Sequence, residues 1–104
     1  MIQVRISADH KDIQKFDMKG HALYAAYGQD VVCAGASAVI IGGMNALDEL
    51  CRDCCSFIVS ENRIQIIVKK SDDSVQLVLS VIEKQLLTIQ ESYPKHIQIT
   101  RKEV

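Results

Sequence analysis

The sequence predicts a single α+β domain over residues 1–104, with the element order ββαββαβ and a mostly antiparallel sheet. Three observations predict this class. The length of 104 residues suits one domain. Short β-rich runs occur in pairs joined by turn residues, as in hairpins. Two longer segments carry helical patterns, and hairpins combined with two helices are typical of an α+β domain.

The first pair of strands is predicted from alternation. Ile2–Ser7 alternates apolar and polar residues, which is typical of a half-buried strand. Ala8–Lys11 is predicted to turn. Ile13–Lys19 then forms the second strand, with Phe16 and Met18 on one face. We therefore expect an N-terminal hairpin.

The first helix is predicted from about Val31 to Arg52, after a loop over Gly20–Gln29. Asp30 precedes an unbroken run of good helix positions, so it is predicted to be the N-cap. The helix is apolar almost all round, which predicts cover on more than one side. A homodimer could supply part of that cover. Gly42–Gly43 indicates close packing or a slight bend.

The second half of the chain repeats the hairpin and the helix. Ser56–Ser60 and Arg63–Lys69 are β-rich runs separated by two turn residues. Ser71–Ser74 offers capping residues for a strongly amphipathic helix, which Pro94 ends. A short last strand contains Ile97 and Ile99. The apolar positions of this helix are Val75, Val78, Leu79, Ile82, Leu86 and Ile89.

Charge and composition narrow the classes of partner and location. The net charge of -1 argues against a protein that mainly neutralises phosphates, so no direct nucleic-acid partner is expected. Val31–Leu47 has no charge but is rich in small residues, and we interpret it as a buried helix rather than a membrane span. Met1–Ser7 lacks the apolar core of a secretory signal. The expected location is cytoplasmic, where thiols stay reduced.

The residues with the clearest chemistry are His21 and Cys33. If Asp30 is the N-cap, Cys33 is the third helical residue, where the helix dipole and unpaired N–H groups favour the thiolate. His21 could fold back to the sulfur and act as its base. The alternatives are a packed cysteine and a surface histidine. Asp30 could act only as a cap, could orient His21, or could oppose the thiolate by its own charge.

The stretch around these two residues resembles a known motif. The ribosomal-processing cysteine protease (Prp) family has the pattern Gly-His-Ala-x-Tyr-Ala-x-x-Gly-x-Asp-(Ile/Val)-Val-Cys-Ala-(Ala/Gly)-x-Ser-Ala. A looser likeness continues through Asn45-Ala46-Leu47 and through Gln85–Ile99, which contains Glu-x-Tyr-Pro. The matching positions are Gly20, His21, Ala22, Tyr24, Ala25, Gly28, Asp30, Val31, Val32, Cys33, Ala34, Gly35, Ser37 and Ala38.

The resemblance implies a cytoplasmic bacterial protease without a cofactor. It implies removal of a short N-terminal extension from a large-subunit ribosomal protein, with cleavage after an aromatic residue. It also implies a homodimer and a mobile loop over the site. His21 would be the general base and Cys33 the nucleophile, through a thioester acyl-enzyme.

Other residues near the pair are candidates for substrate contact. Tyr24, Tyr27 and Gly28 lie in the segment between His21 and Cys33 and could form a lid, or could simply pack at the surface. Ser37 lies one helical turn beyond Cys33 on the same face, so it could contact substrate or could be a small packing residue. Gly20 and Ala34 are further candidates for substrate contact.

Cys51, Cys54 and Cys55 form a second cysteine group. A redox Cys-x-x-Cys pair normally lies at a helix N-terminus, whereas this pair falls at a helix end. A zinc site needs about four paired ligands, and His10 and His96 stand apart from the cysteines, so no metal is expected. The rival function is a non-catalytic module that binds ribosomal protein or RNA during ribosome assembly.

Overall fold

The computed structural model describes residues 1–20 and 29–104, with Gln29 and Asp30 described by their backbone alone. The predicted order ββαββαβ is confirmed. The elements are β1 (Ile2–Asp9), β2 (Asp12–Lys19), α1 (Gln29–Leu50), β3 (Cys55–Ser60), β4 (Arg63–Val68), α2 (Asp73–Ser92) and β5 (Ile97–Glu103).

The five strands form one mixed sheet in the order β3-β4-β2-β1-β5. Three of the four neighbouring pairs are antiparallel, as predicted, and β5 runs parallel to β1 at the edge. Alternation works as expected, because Ile2, Val4 and Ile6 are buried while the residues between them are not. Phe16 and Met18 of β2 are buried on the same face as these residues.

The first hairpin turns later than the sequence predicts. β1 continues to Asp9, and the turn is confined to His10 and Lys11, with a positive φ of 56° at His10. A register shift between Ser7 and Ala8 lets Ala8 pair with Ile13 and become buried. A bulge of this kind breaks the regular alternation from which the strand end was predicted.

The start of α1 adjoins the part of the chain that the structure does not describe, so the capping role of Asp30 stays a prediction. α1 begins at Gln29, so Asp30 is the second residue of the helix and Cys33 is the fifth. An acidic residue is favoured both at the N-cap and in the first turn, because each place meets the positive end of the helix dipole. The sequence signal alone could not separate these two placements.

Within the single chain, α1 leaves part of its apolar surface exposed. Its buried positions are Val32, Ala36, Ile40 and Leu47, whereas Val31 is 60% exposed and Ile41 is 43% exposed. By length and composition Val31–Leu50 could cross a membrane, with a mean hydropathy of 1.6. In the fold its inner residues belong to the hydrophobic core, beside α2 and the sheet.

α2 covers the same face of the sheet and follows the sequence prediction closely. The Asp72 side chain caps it by accepting from the Val75 N–H at 2.8 Å. Its first turn is fastened to the sheet because the Gln76 side chain accepts from the Ile13 N–H at 2.7 Å and donates to the Ile13 carbonyl at 2.9 Å. The helix ends at Ser92, two residues before Pro94.

Candidate active site

Cys33 lies near the amino end of α1, where the second helical turn begins. Its side chain is half-buried and packs against the core, directly after the buried Val32. The dipole of a helix acts mainly within its first turn, so Cys33 lies at the border of that influence. The placement still gives the sulfur access to the surface and a rigid helical support.

Gly20 follows β2, the middle strand of the sheet, and immediately precedes His21. Its φ is +83°, and a Cβ at this position would lie 2.5 Å from the Met1 carbonyl oxygen. Its N–H donates to the Asn62 carbonyl at 3.4 Å. The position therefore requires glycine for backbone reasons, whether or not a substrate touches it.

Four of the predicted site residues, His21, Tyr24, Tyr27 and Gly28, lie outside the described residues. Their roles therefore stay predictions. The backbone of Asp30 lies in the first turn of α1, and its function also stays a prediction.

Ala34 and Ser37, the two candidates that follow Cys33, are both placed on α1. Ala34 is exposed, and Ser37 is half-buried one turn beyond Cys33. Gly35 points towards α2, because a Cβ there would lie 3.6 Å from the Ile89 Cδ1 atom. Because residues four apart lie on the same face of a helix, Ser37 and Cys33 can line the same surface.

The carboxyl end of α2 lies at the same end of the molecule as Cys33. The two helices are antiparallel, since Gly35 faces Ile89 and Gly43 faces Ile82. A hollow of about 250 Å³ at this end is lined by residues 92–96, including Tyr93 and His96. The His96 carbonyl accepts from the Ile2 N–H at 2.9 Å, which fixes the hollow to the sheet.

Sequence reasoning treated His96 as an isolated residue and did not place this hollow near the site. The usable signal was the Glu-x-Tyr-Pro likeness just after the helical pattern. Only the antiparallel packing of the helices brings that segment to the Cys33 end.

The other three cysteines lie at the opposite end of α1. The Cys54 and Cys55 sulfurs are 3.5 Å apart, and the Cys54 thiol lies 3.7 Å from the Leu47 carbonyl oxygen. Burial raises the pKa of the Cys51 thiol, and burial together with the Cys54 contact raises the pKa of Cys55 to about 12. Cys51 and Cys55 are therefore held as protonated thiols, which are poor nucleophiles. We interpret both as packing side chains. Among the described residues, no three His, Cys, Asp or Glu side chains are grouped to hold a metal ion.

Comparison with known proteins adds direct relatives. Residues 1–98 match the family described as cysteine protease Prp. The ribosomal processing cysteine protease Prp of Staphylococcus aureus is 35% identical over 106 residues, covering 98% of this chain and all of the relative. The counterpart from Mycoplasma genitalium is 41% identical over 85 residues, covering 78% of this chain and 81% of the relative.

Solved structures of this protease have the same fold as the chain. The S. aureus protease Prp in complex with a substrate peptide superposes with a TM-score of 0.92 at 32% identity, covering 98% of this chain and all of that one. The same S. aureus protease has also been solved with a covalently linked product peptide, at a TM-score of 0.88 and 34% identity with the same coverage.

This α+β domain resembles known cysteine proteases over almost its whole length, in sequence and in fold. The protein is therefore a cysteine protease. The chain belongs to the Prp family of ribosomal-processing cysteine proteases.

Proposed function

We propose that this protein is an endopeptidase that removes a short N-terminal extension from a large-subunit ribosomal protein, with Cys33 and His21 as a catalytic dyad. The observation that carries the proposal is the position of Cys33, half-buried at the amino end of α1 in a member of a cysteine protease family. The S. aureus structure with a covalently linked product peptide supports attack by an enzyme group on the substrate.

In the proposed mechanism, His21 takes the thiol proton and the Cys33 sulfur attacks the scissile carbonyl. The C–N bond breaks as His21 returns the proton to the leaving amine, which leaves a thioester on Cys33. Water then hydrolyses the thioester, and the thiol is restored.

The oxyanion donors in this mechanism belong to the first turn of α1. The first four N–H groups of a helix have no partner within it. Because α1 begins at Gln29, those groups end with Val32, whereas the Cys33 N–H can bond within the helix. We therefore propose that the donors lie at or before Val32, two residues earlier than a helix starting at Val31 would allow.

The test is cleavage of a synthetic peptide that spans the N-terminal region of the host ribosomal protein, followed by mass spectrometry under reducing conditions. Wild type is expected to cut at one bond, and Cys33→Ala and His21→Ala are expected to lose at least about 10³-fold in rate. Cys51→Ala is the matched control, because it removes a half-buried thiol from the same polypeptide, and its rate should match wild type.

The rival function, a non-catalytic binding module for ribosome assembly, makes the opposite forecast. In that case wild type and Cys33→Ala would bind the peptide equally and leave it intact. An intact peptide after prolonged incubation with folded wild type would refute the proposed reaction.

We also propose that the protein is a cytoplasmic homodimer whose contact lies on α1. The exposed positions Val31, Ala34, Ala38, Ile41 and Asn45 recur at alternating intervals of three and four residues. This spacing puts them in one stripe, and small residues within the stripe allow two helices to approach closely. A cytoplasmic location suits three neighbouring thiols, because the cytosol keeps thiols reduced.

A further inference from the structure

The two helices cover one face of the sheet, and the other face carries mainly polar side chains. We call this second surface, as far as the bulge at Ser7, the open face. It consists of the strand residues that alternate with the buried ones, and the strand register aligns them across the sheet. The charged members of the open face are Arg5, Lys15, Asp17, Lys19, Arg63 and Lys102.

The open face is strongly positive although the chain is not. It presents five basic side chains and one carboxylate, which gives a net charge of +4. Since the complete chain carries -1, all other residues together carry -5. Two of the acidic residues, Asp9 and Asp12, lie beyond the bulge at the tip of the first hairpin. The net positive charge is therefore concentrated on the open face, and the net negative charge lies on the rest of the protein.

The single carboxylate of the open face is already bound. Arg63 donates to both Asp17 oxygens, Nε to Oδ1 at 2.9 Å and Nη2 to Oδ2 at 2.7 Å. With its amide oxygen turned towards them, Gln65 accepts from the Arg63 guanidinium at 3.2 Å and from the Lys15 ammonium at 3.0 Å. This network holds two cations in fixed positions and leaves the positive excess of the face uncompensated.

A polar hollow of about 110 Å³ lies on the open face between β1 and β5. It is lined by Gln3, Arg5, Gln98 and Thr100. A guanidinium, two amides and a hydroxyl can together bind phosphate oxygens and a neighbouring ribose hydroxyl. The hollow thus offers the donors and acceptors that one unit of a longer anionic chain would need.

We propose that the open face binds the sugar-phosphate backbone of RNA. The cations are spread over β1, β2, β4 and β5, which suits an extended polyanion better than one small anion. On β5, β1 and β2 the outward residues include no aromatic or large aliphatic side chain that could anchor a protein partner or enter a lipid layer. The large aliphatic residues of the open face, Ile58 and Ile67, lie on β3 and β4. Without stacking platforms, binding is set by charge and tolerates many sequences.

This inference departs from the expectation of no nucleic-acid partner. That expectation was drawn from the net charge, which sums regions of opposite sign. The RNA proposal is independent of the proposed peptidase, because the described part of the Cys33 site lies on the helices, which cover the opposite face of the sheet. Cys33→Ala should therefore bind RNA as wild type does.

The experiment measures binding of the full chain to a fluorescein-labelled mixed-sequence single-stranded RNA by anisotropy, over a range of salt concentrations. The test variant is Arg5→Glu with Lys102→Glu, since both side chains are exposed. The matched control is Lys70→Glu with Lys84→Glu, which makes the same change in net charge away from the open face. Thermal melts by circular dichroism establish that both variants are folded.

The test variant should bind at least about tenfold more weakly at low salt, and its log-log salt slope should fall by roughly 0.7 for each phosphate that it no longer neutralises. The control should stay within about twofold of wild type. Equal weakening of both variants would overturn the assignment to this face. Tighter binding to a DNA strand of the same sequence, to phosphatidylglycerol vesicles or to polyglutamate would overturn the assignment to RNA.

Discussion

Residue environment separates the four cysteines, although all carry the same thiol. Cys33 lies at the amino end of α1, whereas Cys51, Cys54 and Cys55 lie beyond its carboxyl end. The positive pole of a helix favours a thiolate, and the negative pole opposes it. Burial also opposes the thiolate at Cys51 and Cys55, since it raises the pKa of both thiols.

Alkylation by iodoacetamide at pH 8 should therefore select among the thiols. With a pKa of about 12, only about one Cys55 thiol in ten thousand is ionised at that pH, so Cys55 should react very slowly in the folded protein. Cys33 should react first, and His21→Ala should slow it. Peptide mass spectrometry over time measures each site, and equal rates at Cys33 and Cys51 would contradict the assigned nucleophile.

Asp17 should make stability depend on pH. The Arg63 hydrogen bonds hold the pKa of the Asp17 carboxyl below its usual 3.8. A carboxyl whose pKa is lower in the folded state stabilises the fold above pH 3.8 and loses this effect as the pH falls through the folded value. Asp17→Asn should therefore lower the melting temperature at pH 7, and the gap from wild type should narrow below pH 3.8.

The control for Asp17→Asn is Asp9→Asn, which removes an exposed carboxylate at the end of β1. It should change the melting temperature little at either pH. A gap for Asp17→Asn that stays constant from pH 7 to pH 3 would show that the Arg63 pair does not link folding to proton binding.

At the scale of elements, two adjacent glycines in α1 have opposite surroundings. A Cβ on Gly43 would collide with the side chain of the buried Ile82, which would have to shift, whereas a Cβ on Gly42 would meet nothing within 4 Å. Gly43 is therefore what allows α1 and α2 to approach. Gly42 only weakens the helix.

The pair Gly43→Ala and Gly42→Ala tests this contrast with one added methyl group each. Gly43→Ala should lower the free energy of unfolding by about 1–3 kcal/mol because it overpacks the helix contact. Gly42→Ala should raise it by about 0.5–1 kcal/mol through helix propensity. Urea denaturation measures both values, and a decrease of equal size in both variants would contradict the proposed packing.

Most elements were predictable because their signals are local. Alternation located β1 and β2, and the capping residues of Ser71–Ser74 with the spaced apolar residues located α2 within a few residues. The bulge at Ser7 and the start of α1 were not predictable, because a register shift leaves no pattern and an acidic residue suits two positions. At the site, the position of Cys33 near the amino end of a helix could be predicted, whereas the hollow around Tyr93 depends on the packing of two distant helices.

For the whole molecule, the exposed stripe on α1 is the feature that a single chain leaves unexplained. Ile41, within the stripe, is 43% exposed, and Leu50, on the same helix but off the stripe, is 78% exposed. If two copies meet along the stripe, a charge at Ile41 must be buried without a partner, which is costly. A charge at Leu50 stays in water.

Sedimentation velocity should therefore find a dimer for wild type and for Leu50→Glu, and a monomer for Ile41→Glu at the same concentration. The two variants carry the same substitution on one helix, so the comparison isolates position from charge. A wild type that sediments as a monomer at every concentration would rule out the proposed homodimer, and a dimeric Ile41→Glu would place the interface elsewhere.

The parallel pairing of β5 with β1 has a consequence for when the protein can fold during its synthesis. Ile2 at the start of the chain pairs with Ile97 near its end, so this part of the sheet closes a loop of almost the full length. Pairing of such distant segments is slow and comes late. The hairpins and α2 can form while the chain is still emerging, but the β1 edge stays uncovered until β5 has been synthesised and released. The newborn chain therefore passes through a stage with an open sheet edge, which is the form most exposed to aggregation.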